Sequence, residues 1–270
     1  MKKKKLSELQ VTGIVICSLF EVILLVCLVG MIVTADSQPF LPMGGVVLLF
    51  MVLMGVFIFA IARDRMLPET VQSLYGRLLG GAFTARGQRD QHRRLINAAR
   101  LYAQENNRKS LEQLLELEPD CIADDDFAAV YAFMALNHSR LGDHREAVSF
   151  YLNSLAYIPG QPRLLSNLSA CLTRLGRYDE AIAYGMKAIE LNDMDAFALS
   201  NTAYALMRAG REREAIELAE RSLELNELQA QPIKVLCLAW YRLGDMQKSS
   251  CYYNMGRAKG FPAQYLDPTS

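Results

Sequence analysis

No two of the six cysteines form a C-x-x-C pair: they stand at Cys17, Cys27, Cys121, Cys171, Cys237 and Cys251. That spacing excludes a zinc ribbon and a disulfide framework, and leaves small buried residues in a reducing compartment. Histidine is equally scarce. His92, His138 and His144 are the only three, and the last two are six apart, which is no ligand spacing on one helix face. There is no Gly-rich phosphate loop, no H-E-x-x-H and no G-x-S-x-G. The acidic runs Asp124-Asp125-Asp126 and Asp179-Glu180 fall at expected helix starts, where they favour the helix dipole. Nothing in the chain therefore assembles a catalytic constellation, a metal site or a cofactor site, and the expectation is a protein that is not an enzyme.

Net charge is also missing, with 29 basic against 29 acidic residues, but the charges are not evenly spread. Residues 1–62 carry four Lys against Glu8, Glu21 and Asp36, a net of +1. Residues 63–100 carry eight Arg against Asp64, Glu69 and Asp90, a net of +5, so the remainder sums to −6. An acidic C-terminal part attracts phosphate poorly, which argues against nucleic acid as a partner.

Two apolar runs stand out. Residues 11–34 hold a single charge, Glu21, and residues 40–62 hold none. Each exceeds the roughly 20 residues that cross a bilayer core as a helix. A polar turn with Pro39 and Pro42 joins them, so residues 1–62 read as a transmembrane hairpin. Lys2–Lys5 precede the first run, Arg63 and Arg65 follow the second, and the turn has no Lys or Arg. By the positive-inside rule both ends and everything after them face the cytoplasm. A cleaved signal peptide ending near Val33-Thr34-Ala35 is the rival reading, but the run is long for one and contains a glutamate. Under either reading the C-terminal part stays on the same side.

An ionised Glu21 mid-span costs on the order of 3 kcal/mol, and the second run offers no basic partner. It is expected to be protonated, or bonded to another copy of the hairpin in a homo-oligomer. Residues 63–90 are basic, with Val71, Leu74, Tyr75, Leu78 and Leu79 at helical spacing. They are expected to form a linker whose short helix lies against anionic lipid.

The strongest signal is self-similarity. Gly142, Gly176, Gly210 and Gly244 recur every 34 residues. Arg140, Arg174, Arg208 and Arg242 stand two residues before them; Ala147, Ala181, Ala215 and Ser249 stand five after. These residues resemble the tetratricopeptide repeat (TPR) family, whose unit is a 34-residue helix–turn–helix with Gly at the turn and Ala where helices approach. The resemblance covers about half the chain. The family's end-of-repeat Pro is present only as Pro159; Asp193, Glu227 and Phe261 replace it later.

The predicted fold is all-α: the hairpin, then a TPR-like α-solenoid. Four repeats span 128–161, 162–195, 196–229 and 230–263, with 264–270 as a tail. Residues 91–127 read as a degenerate capping pair, using Ile96, Ala99 and Tyr102 in one helix and Leu111, Leu114 and Leu115 in the other. The last helix, with Gln247, Lys248, Asn254 and Arg257, is polar enough to cap the array itself. Residues 89–270 are expected to fold alone, because neighbouring repeats bury one another's apolar faces.

The resemblance also implies a concave groove lined by the first helix of each repeat. Its family positions fall on Ala129, Ala132, Leu136 and Ser139; Arg163, Ser166, Ala170 and Thr173; Phe197, Ser200, Tyr204 and Met207; Gln231, Lys234, Leu238 and Tyr241. The Arg column, Arg140, Arg174, Arg208 and Arg242, reads either as a stripe for carboxylates or as compensation of helix dipoles. Asn167 and Asn201, at the sixth position, serve a peptide backbone or repeat packing. The Lys/Asn/Arg set with which some members grip chaperone tails is absent. The expected function is a membrane-anchored scaffold that binds a protein or peptide segment of acidic character and contacts lipid. The alternative is a small membrane sensor or transport accessory in which Glu21 works and the repeats regulate.

Overall fold

The computed structural model describes residues 69–85 and 87–267, all of them within the unit Leu67–Ser270. The two apolar runs, Glu21 and the hairpin expected from them lie outside the described residues. Among the described residues no helix is long and apolar enough to cross a membrane.

Twelve α-helices are described: α1 (Glu69–Gly81), α2 (Arg89–Ala103), α3 (Asn107–Leu117), α4 (Asp124–Leu141), α5 (His144–Tyr157), α6 (Pro162–Arg174), α7 (Tyr178–Leu191), α8 (Ala196–Arg208), α9 (Glu212–Leu225), α10 (Ala230–Arg242), α11 (Met246–Ala258) and α12 (Ala263–Leu266). From α2 to α11 they stack as five antiparallel pairs, each an A helix followed by a B helix. The turns explain the pairing. Gly142, Gly176, Gly210 and Gly244 all adopt a left-handed backbone, with φ between 77° and 87°, which a side chain would strain. The chain therefore reverses after each A helix at a fixed register.

Close approach of the two helices after each turn demands small residues. Ala147, Ala181 and Ala215 are fully buried where B meets A. Hydroxyls clip the two helices together: Ser169 donates to the Ala181 carbonyl at 2.6 Å, Ser154 to Ala128 at 2.7 Å and Ser249 to Cys237 at 2.9 Å. Between repeats the core is aliphatic, built from Leu164, Leu168, Leu172, Leu199 and Leu236, all buried. Burying a Leu side chain contributes roughly 1.5–3 kcal/mol, and each repeat obtains that only from its neighbours.

Three expectations change here. The apolar stripe of residues 63–90 is not offered to lipid. Val71, Tyr75, Leu78 and Leu79 are buried in the solenoid's own core, because α1 packs against the A helices α2 and α4. Residues 89–270 thus lack part of their core, and 67–270 is the unit that closes. In the capping pair, Leu115 is exposed and Leu117 takes the buried place, one register step away. The tail is not idle either. Leu266 is fully buried against Ile233 and Cys237, with Gly256 directly beneath it, so α12 covers the last repeat.

The segment after α1 is held by one carboxylate. Asp126, in the first turn of α4, accepts the backbone N–H groups of Phe83, Ile122 (3.0 Å) and Ala123 (3.1 Å) and the Gln88 side-chain amide (3.5 Å). Phe83 sits at φ 54°, unusual for an aromatic residue, with its N–H on Asp126 and its ring in the core. Burial alone would raise the carboxyl's pKa; the hydrogen bonds outweigh it and hold Asp126 below the usual carboxylate range.

Candidate protein-binding site

The A helices form one continuous face, and its groups fall into three zones. In the first zone the face is occupied. Ala129, Ala132 and Leu136 are buried, and α1 lies over this part of the solenoid. Tyr75 meets Phe133 edge-on at 5.6 Å between ring centres, and its hydroxyl accepts from Asn167 at 3.2 Å. Arg140 is exposed but engaged within the solenoid. Its guanidinium lies 3.7 Å over the Tyr102 ring and donates to the Tyr102 carbonyl at the C-terminal end of α2.

The second zone is a rim at the start of α8. Asp195 caps that helix, accepting from the N–H groups of Phe197 (2.9 Å) and Ala198 (3.3 Å). Arg163 pairs with Asp195 at 3.5 Å and lies 5.3 Å from the centre of the Phe197 ring. Phe197 itself is 52 % exposed.

The third zone is open. Ala170, Tyr204, Lys234 and Tyr241 are half-buried, and Arg174 is exposed. Tyr265, from α12, joins them. Lys234 lies 4.6 Å from its ring centre, and Tyr204 and Arg174 are near enough to act on its hydroxyl. Burial pushes the Tyr265 pKa up, the neighbouring Tyr204 adds to this, and Arg174 opposes it. The result is an aromatic strip with two cations, framed by α1 on one side and the tail on the other.

Other expected groove residues are spent within the solenoid. Asn201 donates to the Ser166 hydroxyl at 3.1 Å and accepts from Gln231 at 3.3 Å, a bridge across three repeats. Arg208 donates to the hydroxyls of Tyr204 (3.2 Å) and Tyr178 (2.8 Å). Arg242 donates to the Met207 carbonyl at 2.8 Å and lies 3.4 Å from Glu212. Arg140 and Arg242 thus staple the C-terminal end of the preceding A helix, where carbonyls lack helical partners. Met207 is buried, at 1 % exposure, because its position turns toward the next repeat; Thr173, its counterpart in α6, is buried too. Leu238 is also core. Tyr265 was hidden from sequence reasoning, since it lies beyond the last repeat in register. Among the described residues no group of three His, Cys, Asp or Glu side chains is placed to hold a metal ion.

Comparison with known proteins agrees with this architecture. Residues 67–166 match one tetratricopeptide repeat model, and residues 162–193 match a second. The first match includes α1. No sequence among curated proteins matches the chain. Among solved structures, MamA (residues 41 to the end) from Desulfovibrio magneticus RS-1 is similar with a TM-score of 0.57 at 16 % identity, over 63 % of this chain and 95 % of that one. YrrB, described as a TPR protein with an unusual peptide-binding site, is similar with a TM-score of 0.52 at 17 % identity, over 64 % of this chain and 88 % of its own. The described part of the chain is an all-α solenoid of tetratricopeptide-repeat type, similar to tetratricopeptide repeat models over residues 67–193.

Proposed function

We propose that this chain is a membrane-anchored scaffold whose A-helix face binds a segment of another protein. One observation carries the reading: Arg174, Lys234, Tyr204 and Tyr265 converge on an open strip of α6, α8, α10 and α12. Rigid aromatics with a few cations suit an extended segment bearing carboxylates, the aromatics supplying contact area and the cations register. The similarity to YrrB, a protein described by its peptide-binding site, supports the same class of ligand. The anchor rests on the two apolar runs and the Lys/Arg asymmetry of residues 1–65.

The test is titration of a captured partner at two salt concentrations. Tyr204→Ala is expected to cost roughly 1–3 kcal/mol of binding. Arg174→Gln is expected to weaken binding chiefly at low salt, since exposed charges are screened. Unchanged affinity in both variants would place the site off this strip.

The anchor has its own test. Ser37→Cys in intact cells is expected to react with an impermeant thiol reagent from outside, and Ser270→Cys to stay protected. Reaction of the C-terminal cysteine would overturn the orientation.

A further inference from the structure

The geometry points to α1 as an exchangeable occupant of the A-helix face: the seat it fills, over α2, α4 and α6, is a docking site for an amphipathic helix of a partner protein, which enters by displacing α1. This rests on the reading of that face as a protein-binding surface, and extends it to a second site with a different ligand class.

The first observation is that α1 occupies positions the repeat register makes available for ligand. Tyr75 stands on Phe133 of α4 and accepts from Asn167 of α6, both sixth positions of their repeats. Its neighbours Val71, Leu78 and Leu79 complete an i, i+4, i+7, i+8 pattern, the stripe by which a helix lies in a groove. The seat therefore already displays the ligand chemistry it accepts: an amphipathic helix with an aromatic at its centre.

The second is that α1 does not exhaust the seat. Beneath it, the fully buried Tyr151 hydroxyl finds no well-formed hydrogen bond among the described residues, since the adjacent Asn167 amide is turned to Tyr75. Buried polar groups left without partners cost free energy, so the closed arrangement is one that another helix can improve.

The third is a pivot. Gly80 and Gly81 end α1; among the described residues a Cβ on Gly80 would meet nothing within 4 Å, whereas one on Gly81 would press on the Asp125 carboxylate at 3.2 Å. Two residues on, Phe83 is fixed by Asp126. The helix can swing about Gly80 while Gly81 stays against Asp125 and the latch stays closed. This favours a foreign helix over α1 of a second copy. A swapped α1 would have to carry the latched segment 82–88 away from its own Asp126.

The experiment uses the full chain in lipid nanodiscs and a fluorescent synthetic peptide of residues 67–85 as the probe. Tyr75→Ala, which loosens α1 in cis, is expected to bind the peptide at least tenfold tighter than the wild type. Gly80→Ala, which stiffens the pivot, is expected to bind it several-fold more weakly. Phe133→Ala, which removes the floor of the seat, should abolish binding in either background. Native-state hydrogen exchange provides a readout independent of any variant's folding. Amides of α1 should open well before those of α4 and α6. Equal protection of all three helices, or peptide binding indifferent to Tyr75 and Phe133, overturns the proposal. Dimerisation of the wild-type chain that the free peptide reverses would assign the seat to α1 of a second copy and overturn the foreign-helix reading. Tyr204 lies outside the seat, so Tyr204→Ala must leave peptide binding intact. If peptide exchange persists while the captured partner ignores Tyr204→Ala, the strip reading fails and this one stands.

Discussion

Asp126→Ala is expected to lower the stability of the 67–270 unit by about 3 kcal/mol, read as a fall in urea midpoint at unchanged slope. The carboxylate is 1 % exposed and accepts four N–H groups, among them that of Phe83, 43 residues away in sequence. Removing it strands those donors. Two of the four sit at the start of α4, where water can partly replace the acceptor, which keeps the loss near one strong network rather than the sum of four bonds. Asp126→Asn restores shape but turns an amide donor toward the N–H groups, so it should rescue little.

The same residue sets an acid limit. Its folded pKa is depressed, so its contribution is fully present above the unfolded value of about 3.9 and is lost as pH falls through the folded one. Wild type and Asp126→Asn should therefore begin to converge in stability below about pH 4, and meet only once the pH is below the depressed folded value. Parallel curves down to pH 2 would show that the charge at Asp126 is not what holds the segment.

The second large effect belongs to Gly185, in the middle of α7. A Cβ there would collide with the Thr202 hydroxyl and lie 3.0 Å from the Ser169 hydroxyl. Neither can step aside. Thr202 donates to the Ala198 carbonyl at 2.7 Å and Ser169 to Ala181 at 2.6 Å. Gly185→Leu is expected to cost about 3 kcal/mol through overpacking between the second and third repeats. Gly185→Ala should cost less, since alanine regains about 1 kcal/mol of helix propensity. Combining it with Thr202→Ala should recover most of the loss, a coupling that a double-mutant cycle measures. Additive losses would show that the two helices do not meet at that point.

The contrast between these two residues shows what sequence could and could not disclose. The repeat units were legible because their cause is local and periodic: a left-handed glycine, a small residue five positions on, and an apolar stripe, each renewed every 34 residues. α1 was legible as an amphipathic helix, but a stripe states which face is apolar and not what covers it. Beside a basic, membrane-proximal segment, lipid and protein core write the same pattern. Asp126 was legible as a favourable charge at a helix start. Its reach to Phe83 and Gln88 depends on tertiary geometry that no local pattern encodes. Met207 misled for a related reason. Family positions on a helix specify a sector, and one residue at its edge can rotate into the inter-repeat core. The Arg column carried two readings, and the structure shows three of its four members engaged with neighbouring helices, while Arg174 faces the open strip with no hydrogen bond among the described residues.

Leu266 bears on how the array ends. A solenoid grows by adding like to like, and the surface that receives a fifth repeat is chemically the same as those between the existing four. Here that surface includes Ile233 and Cys237, and Leu266 on a four-residue helix covers it with Phe261 beside it. The tail thus does for the last repeat what a following repeat does for each of the others: it takes an apolar surface out of water.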